Sequence, residues 1–232
     1  MDAGGVIARG EAAATDDVAY RRLNAAYQQS LRYAQDVRRL YVQLQRGVYQ
    51  SLLGLANALE AKDPYTRGHS ERVSRWSRRL AATLDLEAHA VEVVAQAGLL
   101  HDLGKIGVPE QVLRKPGALD ADEWLMMKRH PLLGAEIVAP LEFFGDGAII
   151  IRHHHERIDG SGYPDGLHGD DIPMGARIVA VADVFDALTS DRPYRKAMSP
   201  AAALEQLGRE AGRTLDEDAV TAFIGLVRSD NA

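Results

Sequence analysis

A chain of 232 residues, 46% apolar and 26% charged, has the composition of a globular protein and enough length to bury a full core. Its net charge of −6 argues against a nucleic-acid polymer as the main partner, while leaving room for local basic groups that bind a small phosphate ligand. Zero cysteines exclude disulfides, thiolate metal sites and thiol nucleophiles, so any metal must be held by nitrogen and oxygen.

Residues 1–16 carry no apolar periodicity and read as a flexible tail. Residues 17–61 contain no proline and only two glycines, and a heptad fits them. Tyr20, Tyr27, Ala34, Tyr41, Val48 and Leu55 fall at position a, with Leu23, Ser30, Val37, Leu44, Ser51 and Ala58 at d. This predicts a long signalling or dimerisation helix with a weak seam. The break Lys62-Asp63-Pro64-Tyr65 separates it from a domain spanning 62–232. There His69, Val73, Trp76 and Leu80 follow helical spacing, which puts His69 at the head of an apolar stripe.

The next helix, from about Glu87 to Leu103, carries His101 and Asp102 on its inward face. A lone buried carboxylate costs several kcal/mol, and an adjacent imidazole suggests a metal as its counter-charge. Gly98 leaves room beside the pair and Gly104 is expected to end the helix. The plainer alternative is a salt bridge from Asp102 to Lys105. Asp120 and Glu123 form a capping box for a helix through about Arg129, with His130 at a junction before Pro131. A helix over 143–156 ends in Ile150-Ile151-Arg152-His153-His154-His155-Glu156, which puts His154 and His155 beside a buried ridge. Residues 157–173 form a glycine- and proline-rich loop of a length that is usually functional or disordered. Residues 176–190 could pass for a strand, but their spacing favours a helix with Asp183 on its apolar face. Ser199-Pro200 and Asp216 open the last two helices. The expected fold is all-α. No apolar run reaches membrane length and no signal-peptide pattern opens the chain, so a cytoplasmic protein without a membrane span is expected.

His69, His101, Asp102, His130, His154, His155 and Asp183 thus gather on inward faces. Five imidazoles and two carboxylates are too many for one ion and suit two, with Asp102 between them. A metal pair about 3.5–4 Å apart binds a phosphoryl oxygen, activates water and stabilises the leaving oxygen of an in-line displacement.

In this order the residues resemble the HD phosphohydrolase pattern, and Asp159-Gly160-Ser161-Gly162-Tyr163-Pro164 is similar to the signature loop of its HD-GYP branch. The likeness runs from Asp63-Pro64-Tyr65 to Asp191-Arg192-Pro193-Tyr194-Arg195. It implies an HD-domain helical bundle and a bacterial phosphodiesterase that opens cyclic di-GMP to linear pGpG, with cleavage to GMP as a further step. It also implies one metal held by His69, His101, Asp102 and Asp183, and a second by Asp102, His130, His154 and His155. Asp102 and Lys105 become the catalytic residues, with Lys105, Arg192, Arg195 and Tyr163 binding substrate. Two divalent ions are expected, iron or manganese first, then nickel or zinc. Expected partners are a second copy of the chain and a diguanylate cyclase or adaptor at the Gly-Tyr-Pro loop. Tyr65 stands where some relatives carry a third-metal glutamate, so a binuclear site is expected. His153 opens a possible shift of the ligand pair to His153-His154. Another cyclic dinucleotide such as cyclic GMP-AMP, or an inactive nucleotide- or partner-binding module, is the alternative.

Overall fold

The computed structural model describes residues 4–60, 68–191 and 196–230. Among these every regular element is helical: α1 (Gly4–Glu60), α2 (His69–Thr83), α3 (Ala88–Leu100), α4 (Glu110–Leu113), α5 (Ala121–Met127), α6 (His130–Val138), α7 (Gly147–His153), α8 (Met174–Thr189), α9 (Pro200–Glu210) and α10 (Glu217–Asp230). Short 3-10 turns lie at Leu103–Gly107, Glu142–Phe144 and Gly169–Asp171. Arg192, Arg195, Tyr65 and the break at residues 62–65 lie outside the described residues.

Contacts divide the chain into two units, Met1–Gln50 and Ser51–Ala232. The division falls inside α1 rather than at the expected break. In the second unit Ala56 is buried and Leu52, Leu53 and Leu59 are partly covered, so the last turns of the helix belong to the globular unit. The helix also begins at Gly4, not near Asp17. Ala12, Ala13 and Ala14 give this stretch helix propensity without an apolar stripe, which is why periodicity alone missed it.

In the second unit α8 is the central element, packed by α2, α3, α7, α9 and α10. Ile178, Val179, Ala180, Val181 and Ala182 are all buried, so the run that resembled a strand is a helix enclosed on every side. An aromatic cluster closes one end of this core, where the Phe223 ring meets Trp76 at 5.3 Å and Phe185 at 5.0 Å.

Several boundaries differ from expectation. α3 stops at Leu100, and His101 and Asp102 occupy a turn before the first 3-10 segment. Gly104 sits inside that segment and does not end the helix. A Cβ on it would lie 1.9 Å from the His130 carbonyl oxygen and 2.4 Å from the Gly134 nitrogen, so its role is close approach to α6. The helix expected over 143–156 is shorter, because Gly145 takes a positive φ of 52° between the Glu142–Phe144 turn and α7. α4 interrupts the expected connection before Asp120. The helix starts at Asp120, Ser199 and Asp216 hold: Asp120 and Glu123 form a complete capping box, Ser199 accepts from the Ala202 amide, and Asp216 accepts from the Ala219 amide.

Phe223 is fully buried among these rings, so Phe223→Ala should lower unfolding free energy by about 3–5 kcal/mol. Urea unfolding monitored by circular dichroism measures this, and a loss under about 1 kcal/mol would mean that the aromatic cluster does not anchor the core.

Candidate metal centre

Four helix ends and one helix interior supply the seven expected residues. His69 begins α2, His101 and Asp102 follow α3, His130 begins α6 after the Lys128-Arg129 turn that ends α5, His154 and His155 follow α7, and Asp183 lies within α8. The last carbonyls of a helix lack intrahelical donors. Three histidines use this. His101 Nδ1 donates to the Gly98 carbonyl at 2.7 Å, His130 Nδ1 to Met127 at 2.8 Å and His154 Nδ1 to Ile151 at 2.7 Å, each three residues back. The hydrogen bond assigns the proton to Nδ1 and leaves Nε2 with a free lone pair, the form that ligates a metal.

These lone pairs converge. His69 Nε2 lies 3.3 Å from His101 Nε2, and His130 Nε2 lies 3.4 Å from His154 Nε2. Two buried acceptors facing each other are satisfied only by a shared proton or by a cation between or beside them. Burial first, with neighbouring imidazoles adding to it, pushes the His154 pKa well below its ordinary value, and burial then His130 lowers His155 to about 3. Burial outweighs the attraction of Asp102 at His130 and lowers it to about 4. These rings are neutral at pH 7. The ligand-forming atoms fall into three tight groups: His69 with His101 and Asp183; His130 with His154 and His155; and Asp102 with His101 and His154. A donor set of imidazoles and carboxylates without thiolates fits catalytic divalent ions.

Asp102 stands between the two histidine groups. Its Oδ2 is 3.5 Å from His101 Nε2 and 3.9 Å from His69 Nε2, while Oδ1 is 3.4 Å from His130 Nε2. Lys105 Nζ donates to Oδ2 at 2.5 Å, so the plain salt bridge considered from sequence is present within the cluster rather than instead of it. Burial opposes ionisation of Asp102, but Lys105, His101, His130 and His69 together hold its pKa well below the usual carboxylate range. Asp183 Oδ1 is 3.4 Å from His69 Nε2; burial raises its pKa, and His101, His69 and His155 overcome this to lower it.

Two residues here were not singled out in the sequence. Asp186 Oδ2 accepts from His69 Nδ1 at 2.8 Å, and Arg72 grips the same carboxylate with Nε at 2.5 Å and Nη2 at 3.0 Å. Ser190 Oγ donates to it at 3.3 Å. The fourth histidine thus receives from a side chain the orientation that the other three receive from backbone. Burial lowers the His69 pKa, but the Asp186 hydrogen bond, Asp183 and Asp102 outweigh it and raise the pKa overall. The available signal was spacing: Arg72 is three residues after His69 and Asp186 three after Asp183, one helical turn in each case.

His153 turns away from the cluster, its Nε2 lying 2.8 Å from Asp165 Oδ2, and Arg152 pairs with that carboxylate through Nε at 2.7 Å. Buried Glu156 receives the amides of Asp165 at 2.7 Å, Gly166 at 3.1 Å and Leu167 at 3.1 Å, which folds the glycine-rich loop back on itself. Gly162 allows the return, since a Cβ there would lie 2.4 Å from the Arg157 nitrogen. The Tyr163 amide then donates to the His155 carbonyl at 3.2 Å, and the Tyr163 ring lies 4.9 Å from the His155 ring. Burial, and then the nearby carboxylates, raise the Tyr163 pKa, so the phenol stays protonated.

An HD domain family model matches residues 54–219. The chain is 48% identical over 177 residues to the cyclic di-GMP phosphodiesterase response regulator RpfG of Xanthomonas campestris, covering 75% of this chain and 47% of that protein. It is 38% identical over 187 residues to 3'3'-cGAMP-specific phosphodiesterase 2 of Vibrio cholerae, covering 80% of this chain and 36% of that one. The chain therefore spans less than half the length of either relative. A solved HDG"Y"P protein from Bdellovibrio bacteriovorus, Bd1817, superposes with a TM-score of 0.57 at 25% identity, over 69% of this chain and 51% of that chain.

The Asp186–Arg72 pair yields a direct test. Asp186→Asn should weaken retention of divalent ions about 10- to 100-fold, read as metal content after dialysis against graded chelator. Unchanged retention in a folded variant would show that His69 does not depend on this support.

Proposed function

The chain belongs to the HD domain family, and from that premise we propose that it is a divalent-metal-dependent phosphodiesterase that opens cyclic di-GMP to its linear dinucleotide. The observation that carries the reading is the divided carboxylate of Asp102, with Oδ2 toward His69 and His101 and Oδ1 toward His130. That arrangement suits two ions sharing one ligand. His69, His101 and Asp183 would hold one ion, His130, His154 and His155 the other, and Asp102 both. Bound there, such ions supply positive charge to a phosphodiester and lower the pKa of an attacking water.

The chain's own groups do the rest. Lys105 sits at the partly exposed edge of the cluster, where its ammonium can meet a non-bridging phosphate oxygen. Asp102 holds Lys105 in that position. Tyr163, fixed on His155 by the folded loop, forms one wall beside the reacting phosphate and limits water on that side. Arg192 and Arg195 are assigned to substrate phosphates on their motif, a task suited to the planar guanidinium fork. The nitrogen and oxygen donor set supports iron or manganese, with nickel or zinc as substitutes.

Relatives named for cyclic di-GMP and for 3'3'-cGAMP both align at substantial identity, so the two dinucleotides are the pair to compare. Protein loaded anaerobically with Fe²⁺ or Mn²⁺ should bind about two ions per chain and turn over cyclic di-GMP faster than 3'3'-cGAMP. Asp102→Ala should lose metal and turnover together. Turnover confined to 3'3'-cGAMP would move the reading to that substrate, and a metal-replete Asp102→Ala protein with normal rate would overturn the site.

The proposal extends to a parallel dimer through α1. Tyr20, Leu23, Tyr27, Val37, Tyr41 and Leu44 occupy the heptad seam and are each more than half exposed in the single chain, which supports a second copy as their cover. Removing residues 1–50 should convert a dimer to a monomer by light scattering, whereas an unchanged mass would refute the coil.

A further inference from the structure

α5 has no buried residue, and it exposes Trp124, Leu125 and Met126 in succession. A short apolar-faced helix left this bare needs a reason to be there. Its position is fixed at both ends. The Asp120–Glu123 capping box closes its start, and the carbonyl of its last residue, Met127, accepts from His130 Nδ1 in the metal cluster. The face it presents is therefore held in register with the site.

Trp124 lies at the rim of that site. Its ring, 44% of the residue exposed, stands edge-on to Tyr163 with centroids 6.2 Å apart. Tyr163 in turn lies tilted on His155 at 4.9 Å. Lys128, one turn after Trp124, carries its Nζ 5.7 Å from the Trp124 centroid and 5.2 Å from that of Tyr163. An aromatic path thus leads outward from the phosphate-handling cluster and ends in an exposed indole beside an ammonium. Aromatic faces next to a cation suit a nucleobase attached to a phosphate, because every base stacks and the cation attracts its electron-rich edge and backbone.

Resting on the phosphodiesterase reading above, we infer that Trp124 and Lys128 form a nucleobase platform, on which one base of the dinucleotide stacks while its phosphate occupies the metal cluster. Leu125 and Met126 point elsewhere on the helix and take no part. The platform would recognise a base by stacking, with little hydrogen-bond readout, and so would serve affinity more than discrimination among purines.

Trp76 and Trp124 are the only tryptophans, so Trp76→Phe leaves Trp124 as the sole reporter. In that metal-loaded protein GMP should quench the emission, and ribose 5-phosphate, which lacks the base, should not. Trp124→Ala should weaken GMP binding by calorimetry about tenfold or more, with ribose 5-phosphate binding unchanged and Trp124→Tyr partly restored. It should also raise KM for cyclic di-GMP while leaving hydrolysis of bis(p-nitrophenyl) phosphate, a diester without a base, within about twofold. Equal loss on both diesters would make Trp124 structural, and absence of GMP quenching would overturn the platform. Quenching by GMP with turnover only of bis(p-nitrophenyl) phosphate would leave the platform standing and remove the substrate reading. Hydrolysis of cyclic di-GMP without quenching would do the reverse.

Discussion

The structure of the site depends on three imidazoles that donate backward to helix-end carbonyls. Gly98, Met127 and Ile151 each offer an orphan carbonyl, and His101, His130 and His154 satisfy them. A need of the backbone and a need of the site are met by the same bond. Because each bond consumes the Nδ1 proton, all three rings aim Nε2 lone pairs inward, and the helix termini fix where those lone pairs meet. A geometry suited to a cation is thus set by secondary structure alone.

That preorganisation has an electrostatic cost. Facing lone pairs and the two carboxylates of Asp102 and Asp183 sit within a few ångströms of one another, balanced by Lys105 and, through Asp186, by Arg72. A buried charge with incomplete compensation works against folding. An ion that binds the folded state alone relieves the imbalance and adds stability by mass action. Arg72 and Asp186 never reach the cluster's centre, yet they set the orientation of His69 there.

Much of this clustering was legible in the sequence because candidate ligands are chemically conspicuous. Histidine and aspartate on apolar helical faces violate the burial pattern, and seven such violations in one chain point to one place. The folded segment that follows α7 was only partly legible. Its glycines and prolines marked a loop, but nothing in spacing revealed that Glu156 would gather three amides from residues 165–167, since that bond is set by a chain reversal. Nor did periodicity reveal where α1 begins, because alanine favours a helix without marking a face. Asp186 and Arg72 were hidden for another reason: a carboxylate paired to an arginine looks like surface charge until the packing shows both beside His69.

Gly104 bears no charge, ligates nothing and donates to no substrate. Yet the carbonyl of His130 and the amide of Gly134 occupy the space where any side chain would begin, so the turn holding Asp102 and Lys105 meets α6 across bare backbone. The mutational target of this centre is therefore larger than its chemistry. On the proposed function, a screen that counts lost function would score Gly104 beside the histidines, and a survey restricted to reactive side chains would pass over it.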